Sequence, residues 1–142
     1  MSRFILATLF ASVCLTAQNA EMTPAEKEFE ESMRGVTLQG QSTRDGKEGL
    51  HTDKYTIDKV VKKSGDSWTF YARIQYGGKD LTIPMPITVK WAGDTPVIMV
   101  TDQSFPGMGT YSARVVIFRG DYAGTWSGGD HGGKLFGKVV KQ

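Results

Sequence analysis

Residues 67–91 read SWTFYARIQYGGKDLTIPMPITVKW, and the alternation in this stretch decides the fold. Trp68, Phe70, Ala72, Ile74 and Tyr76 fall on one face, with Thr69, Tyr71, Arg73 and Gln75 on the other. Beyond Gly77-Gly78 the pattern resumes, with Leu81, Ile83, Met85, Ile87, Val89 and Trp91 opposing Thr82, Pro84, Pro86, Thr88 and Lys90. A period of two marks strands with one buried face, and a diglycine between two such runs marks a hairpin. Pro84 and Pro86 lack N–H groups toward the same neighbour. The run that carries them is therefore an edge, or borders a gap along one side.

The same signature extends both ways. Strand-like runs cover Val36–Arg44, Lys54–Lys63, Ser67–Tyr76, Asp80–Trp91, Pro96–Asp102, Thr110–Arg119, Asp121–Ser127 and Lys134–Lys141. Turn signals separate them, among them Asp45-Gly46, Gly93-Asp94, Pro106-Gly107 and Gly128–Gly133. Most connections are too short for a crossover helix, so sequence neighbours pair antiparallel. The run Thr110–Arg119 carries apolar residues on both faces and reads as covered on both sides. The predicted fold is all-β, an eight-stranded antiparallel up-and-down barrel over residues 36–142, with a two-layer β-sandwich as the alternative.

One helix precedes the barrel, within residues 21–35. Thr23-Pro24-Ala25-Glu26 combines a Thr cap, Pro at the first helical position and Glu three residues after the cap. Ala25, Phe29 and Met33 form a narrow apolar stripe, and Gly35 supplies a left-handed stop. So short a helix needs a docking surface, and the expectation is a cover over a barrel end.

Residues 1–20 read as a signal peptide. Arg3 precedes an apolar stretch from Phe4 to Leu15, too short to span a bilayer, and Ala17 and Ala20 offer cleavage points. Val13 before Cys14 argues against lipidation, and removal of the leader takes away the chain's one cysteine. It also takes 17 basic residues to 16 against 15 acidic. The expected mature domain is nearly neutral, has no integral membrane segment, and lies in the periplasm or outside the cell. Near-neutrality, with no recurring basic–aromatic platform, excludes electrostatic nucleic-acid binding. Lys54, Lys59, Lys62 and Lys63 read as a solvated edge.

Chemistry is sparse. His51 and His131 both read as turn residues, and no ligand-spaced His pair calls for a metal. There is no Gly-x-Ser-x-Gly elbow, and Gly128–Gly133 lacks the Lys-Ser/Thr and following helix of a phosphate cradle. The expectation is no enzyme, no cofactor and no metal. The weakest of three readings is an enzyme built from Asp130, His131 and a distant acid such as Asp53. What remains is an inward aromatic set and one apolar loop, Gln103–Gly109. From these, Trp68, Phe70, Trp91, Phe105, Met108, Tyr111, Tyr122 and Trp126 are the candidate ligand-binding residues. If the last hairpin is symmetric about Asp130-His131, Gly124 faces Gly137, leaving a dent that serves an aromatic neighbour such as Tyr122 or Trp126.

Hairpin connections and Gly124-Thr125-Trp126, which resembles a Gly-x-Trp signature, make the architecture similar to the calycins (lipocalins and avidins). In lipocalins that signature sits on the first strand and here it sits on the seventh run, so no ligand contact carries over. Tyr55-Thr56-Ile57 through Trp68, Trp91–Ile98, Pro106–Tyr111, and Tyr122–Trp126 with His131-Gly132-Gly133 resemble a group of small secreted bacterial proteins of unassigned activity. That resemblance implies export and a single β-domain, and no catalytic residue. The functional expectation is a secreted, non-catalytic barrel binding a small apolar or amphipathic molecule. The alternative is an envelope structural or protein-interaction module with a filled core.

Overall fold

A computed structural model describes residues 21–76 and 79–142. The expected signal peptide and the Gly77-Gly78 turn lie outside the described residues. Helix α1 (Pro24–Ser32) is followed by β1 (Val36–Ser42), β2 (His51–Ser64), β3 (Ser67–Tyr76), β4 (Lys79–Ala92), β5 (Thr95–Phe105), β6 (Gly109–Phe118), β7 (Asp121–Gly128) and β8 (His131–Lys141). Every sequential pair is antiparallel, and β1 pairs with β8 from Val36↔Lys141 to Ser42↔Leu135. The sheet is therefore a closed eight-stranded up-and-down barrel, not a sandwich.

The two ends differ. At one end α1 is a plug. Thr23 accepts the Glu26 N–H at 3.2 Å and Glu26 accepts the Thr23 N–H at 2.9 Å, the reciprocal cap its sequence predicts. Gly35 at φ +58° turns the chain out of the helix and into β1. Phe29 and Met33, at 4% and 1% exposure, face the barrel. Phe29 meets Trp68 edge-on at 5.3 Å, Trp91 at 5.8 Å and Phe70 at 6.1 Å. Such ring pairs contribute about 0.5–1.5 kcal/mol each beyond the area they bury. Below them Val36, Val60, Ile87, Val89, Ile98 and Val115 complete a dry core.

At the other end the barrel opens. β3 pairs with β4 along its whole length, but β4 pairs with β5 only from Thr88↔Met99 to Ala92↔Thr95. β2 pairs with β3 only from Thr56↔Arg73 toward the plugged end. The outer part of the β3–β4 hairpin therefore stands as an arm, paired within itself and flanked by openings. The prolines explain one opening. Val89 donates its N–H to Asp66 on the β3 side, so alternation turns the nitrogens of Pro84 and Pro86 toward β5. No ladder can form there, and the edge is protected against foreign strands. A bulge between Val100 and Gln103 bends β5 away at the same level. Asp102 takes φ 45° in that bulge, and Ser112 holds it by accepting its N–H at 2.8 Å. On the outer face Arg73 binds Asp80 through two bonds of 2.8 and 2.5 Å, and Thr82 donates to Asp58 at 2.9 Å.

Several sequence expectations need correction. The last hairpin turns at Gly129-Asp130, so Trp126 faces Gly133, Gly124 faces Leu135, and Gly137 faces Tyr122 and Gly40. His51 and His131 are not turn residues but the first residues of β2 and β8. β6 is uncovered outside, with Val116 at 41% and Phe118 at 52% exposure. Lys62 is no solvated edge lysine. A bulge at Asp58 puts Ile57 and Val60 on the same inner face, and Lys62 follows them inward to meet Glu26 at 2.7 Å.

Candidate functional site

Alternation places Ser42, Asp53, Tyr55, Ile83, Met85, Gln103, Phe105, Tyr111, Trp126 and His131 on the inner face of the open half. Apart from buried Ser42, these side chains are partly exposed although they face inward. Water therefore reaches into this half of the barrel.

Glycines opposite aromatics shape its wall. Tyr111 covers Gly128, where an added Cβ would stand 2.5 Å from the ring. Trp126 faces Gly133 on β8 and donates its indole N–H to the Thr43 carbonyl at 3.2 Å. Phe105 lies 6.2 Å from Tyr111, Tyr111 lies 6.5 Å from Trp126, and His131 meets Trp126 edge-on at 5.5 Å. The result is an aromatic wall from β5 round to β8.

The polar centre lies on a row through four strands: Tyr122 on β7, Gly137 on β8, Gly40 on β1 and Asp53 on β2. With no side chain on the two middle strands, the Tyr122 ring can lie across them. Its hydroxyl would stand 2.5 Å from a Cβ at Gly40. Asp53 Oδ2 and the Tyr122 hydroxyl are both buried without a hydrogen-bond partner. Tyr55 is 49% exposed, yet burial of its hydroxyl, and then the neighbouring Asp53 charge, pushes its pKa up to about 12. Burial followed by Asp53 also raises Tyr122. The phenols therefore stay protonated beside the carboxylate at neutral pH.

The candidate ligand residues divide between the two ends. Trp68 and Phe70 are sealed in the core, and Trp91 packs with them against Phe29. Phe105, Tyr111 and Trp126 gather in the open half, and Tyr122 lies beneath them. Met108, at 47% exposure, is on the β5–β6 turn that forms part of the rim. Asp53 is the residue the aromatic reading overlooked. Its signal is the alternation His51, Asp53, Tyr55, Ile57, which runs four residues further toward the N-terminus than a hydrophobic count suggests.

The weak enzymatic trio does not assemble as a metal centre. No group of three His, Cys, Asp or Glu able to hold a metal is found among the described residues. Asp130, in the exposed turn, pairs at 3.1 Å with His131 at the start of β8, and this hydrogen bond holds the Asp130 carboxyl below its ordinary range. Among the described residues no helix is long and apolar enough to cross a membrane. No protein-family model, curated protein or solved structure matches the chain.

Proposed function

We propose that the chain is an exported, non-catalytic barrel that takes a small apolar or amphipathic molecule through its open end. One observation carries this reading. At the plugged end Phe29, Met33, Val36, Val60, Trp68, Phe70, Ile87 and Val89 are buried, whereas Phe105, Tyr111 and Trp126 in the other half face inward and still meet water. An eight-stranded barrel has room for its own side chains or for one small ligand, and partial exposure of inward aromatics in the open half favours the ligand. Aromatic walls around a polar floor suit a molecule with an apolar body and a polar head. Residues 1–20 are the export leader and send the domain to the periplasm or beyond.

Native mass spectra of the purified protein, recorded after incubation with lipid extracts, test the binding. The expected result is a retained adduct of small-molecule mass. Bare protein across broad extracts would count against it.

A second reading, a protein-interaction module, has its own observation. A groove of about 340 Å3 runs between α1 and the turns at Asp94 and Arg119, with Phe118 exposed on its rim. Capture of an envelope protein that is lost on Phe118→Ser would favour it.

A further inference from the structure

We infer that the open end selects a protonated amine on an apolar body, with Asp53 and Tyr122 receiving the ammonium group. The inference rests on the binding reading above and names the chemical class of its ligand.

The row Tyr122–Gly137–Gly40–Asp53 gives the geometry. Two glycines in adjacent strands clear a corridor, and the polar groups at its ends belong to β7 and β2. Any side chain at Gly40 would collide with the Tyr122 hydroxyl. The corridor is therefore occupied by a phenol directed toward a carboxylate.

Each group keeps a buried atom without a partner, although the Tyr55 hydroxyl already bonds the Asp53 carboxylate. Tyr122 is 2% exposed, its hydroxyl has no partner, and Asp53 Oδ2 is likewise buried and unpaired. Leaving such a group unpaired costs about 1–3 kcal/mol, and more when it is charged. A carboxylate only accepts hydrogen bonds, while a phenol oxygen both donates and accepts. A primary ammonium has three donors and a positive charge. It can satisfy Asp53 Oδ2 and the Tyr122 oxygen together and neutralise the buried charge.

The surroundings oppose the other ligand classes. Around Asp53 the inner positions Gly40, Ser42, Tyr55 and Gly137 carry no Lys or Arg, and among the described residues Asp53 takes part in no ion pair. A carboxylate or phosphate head would meet a like charge with no cation to offset it. A neutral hydroxyl would gain a hydrogen bond without charge compensation. The phenols beside Asp53 remain neutral at pH 7, since burial and the carboxylate hold Tyr55 near 12. The electron-rich faces of Tyr55, Tyr111 and Trp126 favour a cation over an anion. Phe105, Tyr111 and Trp126 form the wall for the apolar body.

The test compares octylammonium, octanol and octanoate, which share one tail, by calorimetric titration of the purified protein at pH 7. Octylammonium is expected to bind at least about tenfold more tightly than octanol, a difference of about 1.4 kcal/mol, and octanoate more weakly than octanol. Asp53→Asn is expected to bring octylammonium to within about twofold of octanol, since the amide retains the shape but not the charge. Tyr122→Phe is expected to reduce the ammonium preference severalfold. A thermal unfolding midpoint at or above wild type for Asp53→Asn shows that the variant is folded. Octanol or octanoate binding as tightly as octylammonium, or an undiminished preference in Asp53→Asn, would overturn the amine assignment and leave the amphiphile reading standing. If none of the three binds, both fall.

Discussion

The plugged and open halves of this barrel are built from the same eight strands and the same alternation, yet they end in opposite states. At the plugged end large side chains converge on Phe29, and the inward Lys62 is matched by Glu26 at 2.7 Å. At the open end glycines stand in place of large residues, and the inward Asp53 has a buried oxygen with no partner. The prolines of β4 and the bulge of β5 mark the boundary, since both end the pairing between these strands near Thr88 and Met99. The contrast teaches that the alternation fixes which way side chains point. Whether that half becomes core or site depends on what fills it and whether its charges are paired.

The largest expected effect lies in the plug. Trp68→Ala removes a fully buried indole and should cost about 4 kcal/mol, whereas Trp126→Ala at the mouth should cost about 1–2 kcal/mol. Urea unfolding midpoints measure both, and equal losses would erase the distinction between the halves.

Next is the ion pair under the helix. Glu26→Ala leaves Lys62 without its partner and removes half of the cap, so a loss of about 3 kcal/mol is expected. The pair also gives an acid signature. Burial tends to raise the Glu26 carboxyl, but Lys62 and the Thr23 N–H outweigh it and hold it below the ordinary carboxylate range. A carboxyl lowered in the folded state stabilises fully above its unfolded value, and that stability disappears as pH falls from there through the folded value. Wild-type stability should therefore fall through this acid range, and the curve for Glu26→Gln should be flatter. Parallel curves in a pH series of unfolding midpoints would contradict the pairing.

Gly40→Ala probes the boundary between the halves. The added methyl meets the Phe136 carbonyl and the Tyr122 hydroxyl, so a cost of about 2 kcal/mol and loss of any ammonium preference are expected together. Calorimetry and thermal unfolding on one preparation would separate these effects. The smallest effect belongs to the edge. Pro86→Val should change stability by less than about 0.5 kcal/mol while restoring an N–H on an exposed edge. Self-association in sedimentation is the expected outcome, and a strictly monomeric variant would show that the proline does not guard this edge.

Much of this contrast was legible in the chain, and for a common reason. The capping box of Thr23 and Glu26, the alternation from Trp68 to Trp91 and the message of Pro84 and Pro86 are local, fixed by residues within a few positions of one another. The site required long-range register. Nothing near Gly40 shows that it sits beside Gly137, and a hairpin centre shifted by one residue moved every partner of β8 by two. The bulges at Asp58 and Asp102 carry no glycine to mark them, so the inward course of Lys62 stayed hidden. Lys62 also looked solvated because its acid, Glu26, lies 36 positions earlier, on the helix.

The three tryptophans allow the central claim to be tested in one titration. Proton NMR of the indole N–H signals during addition of octylammonium reports both halves at once, with Trp68 and Trp91 around the plug and Trp126 in the mouth. A progressive shift of the Trp126 signal is expected, with Trp68 unmoved and slow to exchange with deuterium. A shift of Trp91 or Trp68 while Trp126 stays fixed would place the ligand at the helix end and contradict the assignment of the open half as the site.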